Sequence, residues 1–109
     1  MQNDLEFERM EAKTGAQLVY LERERQINEE GFAPDRDQEY KEYQLVAAAM
    51  CYLTAAPARE QSGIDTSTPP PQWPWAPDWW KPSPHDPIRE LVKAGALIVA
   101  EIDRRLGAV

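Results

Sequence analysis

The chain has 109 residues, one cysteine and a formal net charge of −7, from 12 Lys and Arg against 19 Asp and Glu. That length suits a single domain over residues 1–109 with one core, small enough to gain from homo-oligomerisation. The acidic balance opposes direct binding to nucleic acid or to an anionic membrane surface, and a lone cysteine excludes an internal disulfide. The longest apolar runs, Leu45 to Leu53 and Leu91 to Ala100, are too short to cross a bilayer. The Met1 region lacks the basic-then-apolar pattern of a signal peptide, so the expected compartment is the cytoplasm of whatever cell holds it.

Along the chain, Asn3 and Asp4 suit the cap of a first turn, and Thr14-Gly15-Ala16-Gln17 spells a second start of the capping-box type. The spacing predicts a short helical segment over 4–13 leading into a longer one over 15–30, with Leu18, Val19, Leu21 and Ile27 as a modest buried stripe. Gly31 and Pro34 supply its stop. Asp35-Arg36-Asp37-Gln38 offers an acidic cap for a second helix, in which Tyr40, Tyr43, Ala47, Met50 and Thr54 recur at helical spacing until Pro57 ends it. From about 57 to 85, Pro69-Pro70-Pro71, Pro74, Pro77, Pro82 and Pro84 forbid helix and central strand and predict a long ordered loop. Asp86-Pro87 then puts a carboxylate at a cap and proline at the first helical position, and Ile88, Leu91, Gly95, Ile98 and Ile102 keep a helical period as far as Gly107. The expected fold is an all-α domain of three helices, or four segments if the first splits at Gly15. Ala47-Ala48-Ala49 and Ala94-Gly95-Ala96 are expected to let the last two helices approach closely.

Within the loop, Trp73-Pro74-Trp75 and Trp79-Trp80-Lys81-Pro82 are the most distinctive residues. Four exposed indoles would leave a large apolar area in water, so one reading folds them onto the helices as core, each ring worth roughly 2–3 kcal/mol. The other keeps their faces accessible: prolines stiffen the backbone, a nucleobase stacked on an indole gains about 1–3 kcal/mol, and Lys81, Arg89 and Lys93 meet a phosphate near the start of the last helix. Arg23 and Arg25 become further anion ligands if they turn toward the loop. As ordinary helix-surface residues, Arg25 instead pairs with Glu29, and Glu22 with Gln26, one turn away. The candidate ligand-binding set is therefore Arg23, Arg25, Trp73, Trp75, Trp79, Trp80, Lys81, Arg89 and Lys93.

Catalytic and metal-binding patterns are thinly represented. Asp35, Asp37, Glu39 and Glu42 cluster where a loop enters a helix, but the spacing of a calcium loop is absent and capping accounts for them. Glu39-x-x-Glu42 matches half of the carboxylate pattern of MazG-type nucleotide pyrophosphohydrolases; the Glu-x-x-Asp half is missing, and Glu101 and Asp103 point to different faces of their helix. His85, the single histidine, cannot build a zinc site with paired ligands. Ser83, His85 and Asp86 are too close in sequence to converge as a triad. Cys51, among Ala48, Ala49, Met50 and Leu53, reads as a small buried hydrophobe. No catalytic residue, metal or cofactor is expected.

Several separated pieces carry a resemblance: Glu22-Arg23-x-Arg25-Gln26, Glu30-Gly31-Phe32, Leu45-x-x-Ala48-Ala49-x-x-Tyr52, Trp73-Pro74-Trp75, Trp80-Lys81-Pro82, the run from Leu91 to Ile98, and the run from Ala100 to Arg104. Together they resemble an uncharacterised family of short proteins of tailed bacteriophages and prophages, over most of the chain beyond about Leu18. Phe32 stands where that family commonly has tryptophan, and Asp35-Arg36-Asp37 where a histidine followed by two acidic residues often stands, which further weakens a metal role. The resemblance implies an accessory role inside an infected or lysogenic bacterium and brings no established activity with it. Two roles meet the residue-level reading. One is counter-defence by sequestering a nucleotide-derived small molecule, with tryptophans stacking the base and Arg23, Lys81, Arg89 or Lys93 neutralising phosphate. The other is an acidic module that inhibits a host protein complex by binding it, which requires an exposed apolar patch. A third, enzymatic role would have carboxylates on two helices hold magnesium and hydrolyse a nucleotide.

Overall fold

The computed structural model describes residues 14–30 and 43–107. Among these residues the chain is all-helical and without strands: α1 (Gly15–Glu30), α2 (Gln44–Ser62) and α3 (Pro87–Leu106), with one short 3-10 turn at Pro77–Trp79 in the connection between α2 and α3. The expected segment 4–13, the stop at Gly31 and Pro34, the cap at Asp35 to Gln38, the carboxylates Asp35, Asp37, Glu39 and Glu42, and Tyr40 lie outside the described residues.

Local chemistry sets most helix ends. The capping box forms as spelled: the Gln17 N–H donates to Thr14 Oγ1 at 3.1 Å, and the Thr14 N–H donates to Gln17 Oε1 at 3.0 Å, which satisfies two amides that a helix start leaves open. At α3 the Asp86 carboxylate accepts from the Arg89 N–H at 3.1 Å with Pro87 beside it, and Gly107 closes the helix at φ 67°. The start of α2 has no side-chain cap; Tyr43 precedes it at φ 69°, a left-handed conformation that costs a non-glycine residue of order 1–3 kcal/mol.

Pro57 does not end α2. The helix runs through it to Ser62, and the loop begins only at Gly63, whose φ of 63° lets its N–H return to the Arg59 carbonyl at 3.1 Å while Ile64 reaches the Ala58 carbonyl at 3.1 Å. Proline removes the hydrogen bond to the carbonyl of Leu53, but both residues lie on the exposed side of α2, where water replaces the missing donor. The terminating residue is the glycine, because only it takes the left-handed conformation without penalty.

α3 is the centre of the fold and packs against both other helices, most extensively against α2. Arg59 pairs with Glu90, and Arg105 sits over the Tyr43 ring at 5.3 Å, so α2 and α3 run antiparallel. Their seam is lined by small residues as expected: Ala48, Ala49, Ala94 and Ala100 are buried in one cluster with Leu45, Tyr52, Leu97 and Trp80. Gly95 is a correction. It faces α1, where an added Cβ would stand 3.0 Å from Val19 Cγ2.

One expected buried stripe is also corrected, and the apolar period of α3 faces outward. On α1, Leu18, Val19, Leu21 and Ile27 are only half-buried, and the fully buried residues are Glu22, Arg23 and Gln26. On α3, Ile88, Leu91, Ile98, Ile102 and Leu106 are 57, 56, 47, 50 and 75 % exposed, while Glu90, Lys93 and Glu101 lie on the inner side. Large aliphatic groups would hold the helix axes apart; alanines let α2 and α3 close, and ion pairs neutralise the charges trapped beside them. Tyr43 and Met50 of the expected α2 period face outward for the same reason.

Candidate functional site

Aromatic rings and backbone hydrogen bonds hold the α2–α3 connection against the helices. Trp80 is buried, its indole N–H donates to the Thr66 carbonyl at 2.8 Å, and its ring stacks on Tyr52 with centroids 4.8 Å apart. Trp73 meets Tyr52 and Trp80 edge-on at 5.6 and 5.1 Å, and Trp75 meets Trp73 edge-on at 5.4 Å. The Tyr52 hydroxyl accepts from the Lys81 N–H at 3.0 Å, and the Glu90 carboxylate accepts from the Ser83 N–H at 3.0 Å, so both ends of the Trp80-to-Ser83 segment are tied to helices. Flat faces are buried while polar tips find partners, the arrangement expected of core aromatics. Trp79 is the exception: it closes the 3-10 turn, is 45 % exposed, and has the Lys81 ammonium 5.7 Å from its ring centroid.

Arg25 and Gln26 of α1, Lys93 of α3 and the loop residues Trp73, Trp75 and Trp79 line one cleft. It has room for about 10 Å³, the space of roughly one water. Gln26 is buried; its Nε2 donates to Glu22 at 3.1 Å, and its Oε1 has no hydrogen-bond donor among the described residues. Lys93 is buried as well, donating to the Lys81 carbonyl at 2.5 Å with its ammonium 5.4 Å from the Tyr52 ring centroid.

The cations expected to meet phosphate are met by internal groups. Glu22 accepts from Arg25 Nε and Nη2, both at 2.8 Å, and from Arg89 Nη2 at 2.7 Å. Burial alone would raise the Glu22 carboxyl, but the Arg25 hydrogen bonds and the Arg89 charge outweigh it and hold the group below its ordinary value. Arg25 also reaches Glu29 at 3.2 Å, and Arg23 faces Asp103 at 3.5 Å. Glu90 is fully buried and binds Arg59 through both oxygens, a fork-to-fork pair of the stronger kind. Glu101 is held by Arg104 and Arg105, both at 2.7 Å; the Arg104 hydrogen bond is the main reason its carboxyl drops to about 2.

The structure thus brings together Arg25, Trp73, Trp75, Trp79 and Lys93 on one cleft, attaches Arg89 to it through Glu22, and sets Lys81 beside Trp79. Arg23 and Trp80 stand apart: Arg23 latches α1 to the far end of α3, and Trp80 lines a separate groove of about 330 Å³ beside Cys51, Thr54, Ile64 and Pro69 to Pro71. Glu22, Gln26, Tyr52, Arg59 and Glu90 are organising residues that the sequence reading did not place in the site. The one sequence signal for them is the Glu22, Arg25, Gln26 spacing, which a solvent-facing helix surface produces equally well. Ser83 and Asp86 serve the loop and the α3 cap. Among the described residues no group of three His, Cys, Asp or Glu side chains is placed to hold a metal ion, and no helix is long and apolar enough to cross a membrane.

A second candidate surface lies on the opposite side of α3. Ile88, Leu91, Ile98, Ile102 and Leu106 form a row along its outer face, and Tyr43, Met50 and Leu53 are exposed on α2. No protein-family model, curated protein or solved structure matches this chain.

Proposed function

We propose that the chain acts by protein–protein contact, as a small docking module whose contact surface is the outer face of α3. One observation carries this reading: five large aliphatic side chains stand in a row there, each about half exposed or more. Apolar surface left in water forgoes about 25 cal/mol for each Å², and a contiguous patch of this size marks an interaction surface more often than an accident of folding. Within the phage resemblance, the role is that of an accessory protein working on other proteins inside the bacterium. Site-specific photo-crosslinking tests it: a benzophenone amino acid at Ile98 is expected to give discrete protein adducts in cells, and the same group at the exposed Glu60 is expected to give none. No adduct from the Ile98 position in a chain of unchanged helicity would defeat the proposal.

A second reading is sequestration of a nucleotide-type ligand at the tryptophan cleft. It is favoured by the half-exposed Trp79 ring with its neighbouring Lys81, next to a buried Gln26 oxygen with no donor among the described residues. Widening a cleft that holds roughly one water requires the loop to lift from α1. Native mass spectrometry of protein from its own host decides it. A bound mass of nucleotide size that disappears in Trp79→Ala supports this reading, and a clean mass removes it.

A further inference from the structure

We infer that the outer face of α3 is closed by the same face of a second copy of this chain, as a two-fold antiparallel pair. This rests on the reading of that face as a protein-docking surface and goes beyond it by naming the occupant. Ile88, Leu91, Gly95, Ile98 and Ile102 alternate in steps of three and four residues, the repeat that lays side chains along the seam between two helices. Glu90, Lys93, Leu97 and Ala100 face the other way, into the monomer. A helix serving only its own chain would carry its large aliphatic groups on that inner side. Here they are reserved for the outer one.

The row is self-complementary. With a two-fold axis passing between Ala96 and Leu97, Leu91 of one copy lies opposite Ile102 of the other, and Ile98 lies opposite Gly95. Gly95 adds no bulk to the row, and the side on which its Cβ would stand is filled by Val19 of its own α1. Ile88 then lies opposite Arg105, whose aliphatic stem can cover it, with Leu106 one residue beyond. The antiparallel sense also sets the helix dipoles head to tail and keeps the two copies of Arg105 apart. Five side chains exposed at roughly half of a full residue's area amount to on the order of 500 Å² per copy. Paired, the two rows would bury about 1,000 Å² in total, the lower bound for a specific interface.

Charge favours a second copy over an unlike partner. The row is uncharged, whereas a chain of net charge −7 would engage a basic partner through its acidic flanks. Two copies repel each other at long range, so salt should strengthen their pairing by screening; it would weaken an acid–base complex.

Sedimentation equilibrium on the full chain tests this, from about 2 to 200 µM protein at about 0.05 and 0.5 M NaCl. The expected result is a mass moving from 12.5 kDa toward twice that value, further at high salt. Ile98→Glu should raise the dissociation constant by at least about 100-fold at unchanged helical circular dichroism, and Tyr20→Glu, on the exposed side of α1, should leave it unchanged. A wild-type chain that stays monomeric throughout, or a dimer that survives Ile98→Glu, overturns the proposal. In the monomeric case a hydrophobic dye separates the two claims. Dye binding lost in Ile98→Glu leaves a docking face with a different occupant, whereas no dye binding by the wild type removes the docking face as well.

Discussion

The two seams of α3 are closed by different physics. Against α2, the buried cluster is mostly alanine and aromatic, with one ion pair where Arg59 meets Glu90 and two cations, Lys93 and Arg105, lying over the Tyr52 and Tyr43 rings. Against α1, the fully buried groups are Glu22, Arg23 and Gln26, latched by Arg89 and Asp103. The first seam depends mainly on shape, with one buried ion pair at its end. The second depends on ionisation and so is conditional. A molecule built this way should open from α1 first, leaving α2, α3 and the tryptophan loop as the more durable unit.

The largest expected effect joins the two kinds of closure. Glu90→Ala leaves the Arg59 guanidinium and the Ser83 N–H without their buried acceptor, and should cost about 3–5 kcal/mol in a denaturant melt. Glu22→Gln weakens only the α1 latch. About 2–3 kcal/mol is expected, seen by hydrogen exchange as loss of protection in α1 while α3 stays protected. Equal loss along all three helices would show that the seams are not separable.

The pH dependence sharpens the same contrast. Because the folded Glu22 carboxyl lies below its ordinary value of 4.5, the unfolded chain takes up a proton first as pH falls. The stabilisation is complete above about pH 4.5 and is lost as pH drops through the folded value; Glu101, held to about 2, extends the loss to near pH 2. Protection of α1 should therefore fail in acid before that of α2, and Glu22→Gln should remove part of that slope. Ala48→Val, which adds bulk to the shape-closed seam, should cost about 1–2 kcal/mol at any pH. The smallest effect is Gly95→Ala: the gain of up to about 1 kcal/mol in helix propensity is set against a Cβ placed 3.0 Å from Val19 Cγ2, giving a net change within about 0.5 kcal/mol. Combined with Val19→Ala, the same substitution should become clearly stabilising relative to Val19→Ala alone.

Local signals in the sequence were reliable where the deciding chemistry is local. Thr14 with Gln17, Asp86 with Pro87, and Gly107 each set a helix end with residues within one turn, and the structure places them as read. Pro57 misled because its effect depends on which side of the helix it occupies, a tertiary property. Periodicity located α3 correctly, but an apolar stripe shows where a helix can be covered and not whether its own chain covers it. The candidate site was half legible. Tryptophans and cations could be listed from composition, but that Glu22 gathers Arg25 and Arg89 depends on the packing of α1 against α3, which no single segment encodes.

Cys51 gives the molecule a clock. It is the chain's single thiol, it is buried among Tyr52, Ala55 and Trp80, and burial pushes its ionisation up. Alkylation needs a thiolate in contact with the reagent, and Cys51 meets solvent only from the wall of the groove it shares with Trp80 and Pro69 to Pro71, so at fixed pH the reaction rate follows how far that groove opens. The labelling half-life of the unmodified wild-type chain therefore times the breathing of its core without any introduced probe, and a ligand or partner that pins the loop would be seen as that clock slowing down.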